Sequence, residues 1–235
     1  MNKTPVSGIS GLPEALKKYV RNASLFDSSC SDAARVWFSH IDGGFYIKSA
    51  PPGSLKEEAE MTAFFHSRKL GAEVLDYLSL ERDWLVTRAV PGEDCLHSEY
   101  RNDPKRLSET LGRLLRQLHE TDPAGCPYSH RNHTRYAHIP ADFRQQYPDC
   151  LTGQVLLHGD YCLPNVMLHD WEFSGFIDVD SGGIGDRHID LYWGCWSILY
   201  NLKEDRWCSR FLDAYGREDV DIGKLRILDA FETYE

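Results

Sequence analysis

The sequence predicts an α+β chain in two lobes, a small β-rich N-terminal lobe over residues 1–90 and a mainly helical C-terminal lobe over residues 91–235. Three observations carry this. Before residue 90, apolar residues alternate in short runs separated by turn residues, the period-two pattern of strands. At Pro91-Gly92-Glu93-Asp94 the pattern breaks, so residues 91–95 read as a hinge. Beyond it Leu107, Leu111, Leu114, Leu115 and Leu118 form an apolar stripe with the 3.6-residue period of a helix.

Residues 12–20 have helical spacing. Asp42-Gly43-Gly44 joins two runs in which Val36, Phe38 and Phe45, Ile47 alternate, a hairpin signal, and the polar stretch 27–32 marks a further turn, giving three strands. Ser54-Leu-Lys-Glu57 has the form of a capping box, and Leu55, Ala59, Ala63 and Phe64 continue it as a helix over 54–70. Residues 72–77 and 84–90 complete a lobe of five strands and one helix. After the hinge come a helix over 104–120 and a polar, His-rich stretch over 121–152 with no readable period. Short strands at 155–157, 165–168 and 173–177 surround tight turns, and helices fill the chain from residue 190 onward. A chain divided in this way is expected to place its chemistry in the cleft between lobes.

With 235 residues and 42% hydrophobic content the chain can bury a substantial core, which excludes disordered and fibrous classes. Twenty-six basic against 36 acidic residues give a net charge of −10. That balance argues against nucleic acid or an anionic membrane as partner and suits a small cationic molecule. Seven scattered cysteines without a CxxC pair read as reduced thiols, and neither an apolar leader nor an 18-residue apolar run occurs, so a cytoplasmic protein is expected. Cys126, His130, His133 and His138 have partly zinc-like spacing but no second nearby cysteine, and a segment so rich in His and Arg reads better as solvated. The GxxxxGK[ST], GxGxxG and GxSxG signatures are absent.

The most informative stretch is His158-Gly-Asp160-Tyr-Cys-Leu-Pro-Asn165, followed by Ile177-Asp178. Phosphoryl transfer from a nucleotide needs a carboxylate to orient the attacking hydroxyl, oxygen ligands for Mg2+ and a cation on the phosphates. Asp160 supplies the first, and Asn165 with Asp178 the second. Lys48, on the second strand of the hairpin, is the candidate cation, with Glu58 on the following helix as its partner.

The chain resembles the aminoglycoside 3′-phosphotransferases, antibiotic kinases with a protein-kinase-like fold. The resemblance runs in family order through Cys30-Ser-Asp-Ala-Ala34, Phe45-Tyr-Ile-Lys48, Glu57-Glu-Ala59, Trp84-Leu-Val with Pro91-Gly-Glu-Asp94, His119 with Asp122 to Pro127, His158 to Asn165, and Gly175-Phe-Ile-Asp178 through Gly183, Asp186-Arg187 and Asp190. It implies Asp160 as the catalytic aspartate and Asn165 and Asp178 as the Mg2+ ligands. It further implies that Lys48 contacts the phosphates and Glu58 holds it, that Ser31 lies in a nucleotide-positioning turn, and that the backbone at Ala89 and Val90 receives the base of ATP or GTP. Asp186, Arg187 and Asp190 are expected to buttress the catalytic loop. Residues 211–235 carry seven acidic against three basic residues, and the resemblance places the C-terminal end at the antibiotic, so Glu232 and Glu235 become candidate ammonium partners. The segment between Cys126 and His158 is shorter than in typical members, Trp196, Ser197 and Tyr200 stand where relatives often carry charged contacts, and Asp180 stands where glycine is usual. The expectation is a Mg2+-dependent kinase acting on an aminoglycoside, most simply at the 3′-hydroxyl, as a monomer or weak dimer. Another hydroxylated small molecule as acceptor, or nucleotide binding without turnover, are the competing readings.

Overall fold

The computed structural model describes residues 4–30, 33–145, 147 and 151–234. Its contacts divide the chain into Met1–Val90 and Pro91–Glu235. The first unit is built on a six-stranded antiparallel sheet of order β1-β2-β3-β4-β6-β5, from β1 (Thr4–Val6), β2 (Ser24–Asp27), β3 (Arg35–His40), β4 (Phe45–Ala50), β5 (Val74–Ser79) and β6 (Asp83–Arg88). Helix α1 (Lys56–Ser67) lies between β4 and β5 in sequence.

Asp42, Gly43 and Gly44 all take positive φ, and this left-handed turn sets the β3–β4 register with Ser39 opposite Phe45. The register puts Phe45 and Ile47 on one face with Leu16, Trp84 and Val86. Ala50 faces the other way, in a cluster with Leu55, Ala59 and Leu85 that seats α1. Lys48 shares the Ala50 face because side chains alternate along a strand. Residues Glu14–Tyr19 form a 3-10 helix within the expected helical stretch, with Leu16 buried. Strand β1 is the sixth, beyond the five expected. At three residues it is too short to show alternation, and it gains its identity only by pairing Pro5 with Phe26.

The capping box expected at Ser54 does not form. Ser54 Oγ donates to the Pro51 carbonyl, and the start of α1 is held instead by buried Asp83, whose Oδ2 accepts from the Leu55 amide at 3.0 Å. Asp83 also accepts from Tyr77 and Ser79, so the carboxylate buried at the start of β6 is fully engaged.

The second unit begins with β7 (Glu93–Asp94) and α2 (Ser98–Arg101), followed by α3 (Pro104–His119). Asp103 caps α3 by accepting from the Arg106 amide at 3.1 Å, with proline at the first helical position. The leucine stripe is buried as the periodicity predicts, and α3 packs along α7 (Asp205–Gly216). Short helices α4 (Arg131–Thr134) and α5 (Ala141–Arg144) occupy the His-rich stretch. Strands β8 (Val155–Leu157) and β11 (Gly183–Gly185) pair with each other, while β9 (Val166–His169) lies between β10 (Glu172–Phe176) and β7. Helix α6 (His188–Leu202) packs on α7 and on α8 (Ile222–Glu232).

Ile189, Tyr192, Leu228 and Phe231 from α6 and α8 build a core with Tyr136, Ile139 and Leu157. Cys195 of α6 and Cys208 of α7 form a disulfide, which corrects the expectation of reduced thiols throughout. Two cysteines 13 residues apart reach each other here because the α6–α7 connection turns the chain back on itself. No helix among the described residues is long and apolar enough to cross a membrane.

Candidate active site

In the second unit, three consecutive turns carry the chemistry. Asp160 follows β8, Asn165 closes a 3-10 turn (Leu163–Asn165) that leads into β9, and Asp178 follows β10. The β9–β10 pairing brings the ends of this loop together, and the Ile177 amide donates to the Asn165 carbonyl at 3.1 Å. Asn165 is buried, and its Nδ2 donates to both the Asp160 carbonyl and Asp160 Oδ2 at 2.9 Å. The other carboxylate oxygen of Asp160 accepts from Cys162 Sγ at 3.1 Å. Burial and the neighbouring carboxylate hold the Cys162 thiol far above its ordinary range, so it remains a donor. Asp178 is exposed and takes φ +54°, a conformation uncommon for a residue with a side chain.

The loop before Asp160 is anchored by a buried network. Asp190 of α6 accepts from the His158 amide at 2.7 Å and the Gly159 amide at 2.8 Å, and from His119 at 3.1 Å. Burial alone would raise the Asp190 carboxyl, but the hydrogen bonds it accepts from His119 and from the His158 amide hold it below its ordinary value. Burial lowers the His119 pKa against the pull of Asp190, so the ring is neutral. It therefore donates from Nε2 to Asp190 and accepts from the Tyr215 hydroxyl at Nδ1, 2.8 Å away. Arg187 pairs with Asp219 at 2.8 Å. Asp186 accepts from the Thr152 and Gly153 amides, from His188 and from Lys224.

In the first unit, Lys48 Nζ donates to Glu58 Oε2 at 2.7 Å, with the two side chains 22% and 10% exposed. The Ala89 amide donates to the Gly44 carbonyl at 3.0 Å, so β6 continues into hairpin pairing at the end of the unit. Ser31 and Glu235 lie outside the described residues.

The sequence matches the family described as APH, phosphotransferase enzyme family, over residues 26–151 and 135–228. A probable aminoglycoside 3′-phosphotransferase of Lactococcus lactis subsp. lactis is 38% identical, with 96% of each chain covered. The chain belongs to the aminoglycoside phosphotransferase family. A streptomycin 3″-kinase of Streptomyces griseus is 30% identical over 75% of this chain and 78% of its own. Among solved structures, an aminoglycoside 3′-phosphotransferase of type VIII is 27% identical, covers 92% of this chain and 96% of that one, and superposes with a TM-score of 0.72. The fold is thus the protein-kinase-like α+β fold that the resemblance implies.

Three further residues that the sequence singles out have defined surroundings in this phosphotransferase. Glu232, the candidate ammonium partner, has its Oε1 engaged by Arg135 Nε at 3.0 Å and by the Tyr136 hydroxyl at 2.8 Å. Asp180 turns its Oδ1 onto the Ser181 amide at 2.7 Å. Cys126 donates to the Tyr128 carbonyl, and no group of three or more metal-type side chains comes together among the described residues, which removes support for a zinc site in the His-rich stretch. Sequence reasoning also missed Cys162 and Arg135. The thiol lies two residues from Asp160, but only the turn geometry shows which atom it meets.

Proposed function

We propose that this phosphotransferase moves the γ-phosphoryl group of ATP or GTP to a hydroxyl of an aminoglycoside, the 3′-hydroxyl, in the cytoplasm, and so confers resistance to the drug. The observation that carries this reading is the hydrogen-bonded Asp160–Asn165 pair, tied by backbone to the segment bearing Asp178. The names of both relatives support the acceptor class, and that of the Lactococcus relative the 3′ position.

Asp160 is held by a donor on each oxygen, and a carboxylate retains further lone pairs beyond those two. They are available to accept the acceptor's hydroxyl proton, orienting the oxygen for in-line attack on phosphorus and taking the proton as the new bond forms. Asn165 commits its Nδ2 to Asp160, which turns its amide oxygen to a different task, and an amide oxygen with the Asp178 carboxylate is the hard donor set that suits Mg2+. When bound there, the ion would neutralise charge on the phosphates. Lys48, oriented by Glu58, is assigned to the same phosphates. With the Ala89 amide committed to Gly44, the base falls to the Ala89 carbonyl and the Val90 amide.

Lys48→Ala is expected to lower kcat/KM for the nucleotide tenfold to about a hundredfold, the equivalent of losing about 1.5–3 kcal/mol of a charge-assisted contact. Steady-state kinetics with varied nucleotide checks this, and unchanged constants remove Lys48 from the phosphates. The function itself is tested in an aminoglycoside-susceptible host. Expression should raise the inhibitory concentration of a drug with a free 3′-hydroxyl and leave that of a 3′-deoxy congener unchanged. No rise for any drug, with transfer by the purified protein to some other acceptor, would move the substrate outside this class.

A further inference from the structure

The His-rich stretch that showed no period in the sequence contributes a cation to the loop that carries Asp160. Arg135, directly after α4, donates from Nη1 to the Gly159 carbonyl at 2.7 Å and from Nε to Glu232 Oε1 at 3.0 Å. The Tyr136 hydroxyl shares that carboxylate oxygen, and the guanidinium lies over the Trp193 ring, 5.5 Å from its centroid. The Arg135 and Glu232 side chains are 19% and 17% exposed, so the pair is largely shielded from water.

The Gly159 carbonyl and the Asp160 amide are two ends of one rigid peptide plane. Arg135 holds the carbonyl end, and the amide end donates to His158 Nδ1 at 3.3 Å. The preceding plane is pinned by Asp190 through the Gly159 amide. Gly159 itself has φ +86°, and a Cβ there would come within 2.1 Å of the Ser181 carbonyl oxygen, so the backbone passes that loop with no room to shift. A plane fixed at both ends fixes the N–Cα bond of Asp160, and the Asp160 carbonyl beyond it is held by Asn165 Nδ2 and the Cys162 amide, so the two planes together set the direction in which the Asp160 Cα–Cβ bond projects.

We propose that Arg135 is a positioning residue, which with Glu232 as counter-ion fixes the Gly159–Asp160 peptide plane and so aims the Asp160 carboxylate at the acceptor hydroxyl. This rests on the role given to Asp160 above. The site requires arginine rather than lysine, because one planar fork bonds a carbonyl and a carboxylate together while its face lies on an indole, and a single ammonium cannot do all three. The C-terminal Glu232 then serves the reaction through the loop instead of through a substrate ammonium.

The test is a cycle of Arg135→Met, Asp160→Asn and the double variant, measuring kcat, nucleotide KM and Tm. Arg135→Met is expected to lower kcat about 10- to 100-fold, the scale of a small misplacement of a catalytic group, with nucleotide KM within about twofold of wild type. The double variant should be no slower than Asp160→Asn alone, since aim is immaterial once the carboxylate is gone. A purely structural arginine would instead lower kcat by the same factor in both backgrounds, and that result, or wild-type kcat in Arg135→Met, overturns the proposal. If Arg135→Met does not fold, Arg135→Lys runs through the same cycle: a reduced kcat confined to the Asp160 background supports the forked contact, and wild-type kcat refutes it. Wild-type transfer by Asp160→Asn would overturn the reading of Asp160 and this proposal with it, whereas the other adverse results leave Asp160 in place.

Discussion

Asp160→Asn should lower kcat for phosphoryl transfer about a thousandfold, within the range measured for loss of a positioned general base. The substitution keeps one side-chain oxygen, which can accept from Asn165 or from Cys162, and leaves the Asn165 bond to the residue-160 carbonyl untouched, so the turn is retained while proton acceptance is lost. Nucleotide affinity should stay near wild type, because Lys48, Asn165 and Asp178 are untouched. Transfer of labelled γ-phosphate, measured beside nucleotide binding by calorimetry, separates the two effects. A kcat within tenfold of wild type would remove Asp160 from the reaction.

The largest stability effect is expected at Asp190. Asp190→Ala leaves the His158 and Gly159 amides and the His119 ring without their buried acceptor; a buried donor left unsatisfied costs about 1–3 kcal/mol, and the loss for the three together is put at about 3–5 kcal/mol. For a chain of this size that corresponds to a fall in Tm of roughly 6–20 °C by calorimetry. The pH dependence has a definite sign. Because the folded Asp190 carboxyl lies below its ordinary value, its stabilisation is fully present above about pH 4 and is lost as the pH falls through the folded value. Asp186 acts in the same sense, held low by His188, the Gly153 amide and Lys224 although its burial opposes this. Acid unfolding of the wild type should therefore steepen below about pH 4, and Asp190→Asn should flatten that limb. Parallel acid limbs in the two proteins would show that Asp190 does not carry the linkage.

Much of the scaffold is legible because it follows local rules. Asp42-Gly43-Gly44 dictates a hairpin, and five leucines at helical spacing dictate the buried face of α3. The Asp160–Asn165 spacing is legible for the same reason, since a tight turn brings two nearby residues together whatever surrounds them. What escaped depends on partners distant in sequence. Strands β1, β7 and β11 run two or three residues and become strands only by pairing. The acceptor for the Leu55 amide lies 28 residues away, and a capping box read locally cannot reveal it. Arg135 and Glu232 are separated by 97 residues, and nothing in either neighbourhood indicates that their charges cancel each other. In an acidic C-terminal segment, the sequence alone does not show that one Glu232 oxygen is engaged by Arg135 and Tyr136.

The most direct measurement is phosphorus NMR of the product formed by the purified protein from ATP or GTP, Mg2+ and an aminoglycoside with a free 3′-hydroxyl. The expected spectrum shows one new phosphomonoester coupled to the proton at the 3′ carbon, formed by the wild type and absent with Asp160→Asn. A phosphate mapped to no hydroxyl of the drug, or an equal yield from the Asp160→Asn protein, would contradict the account.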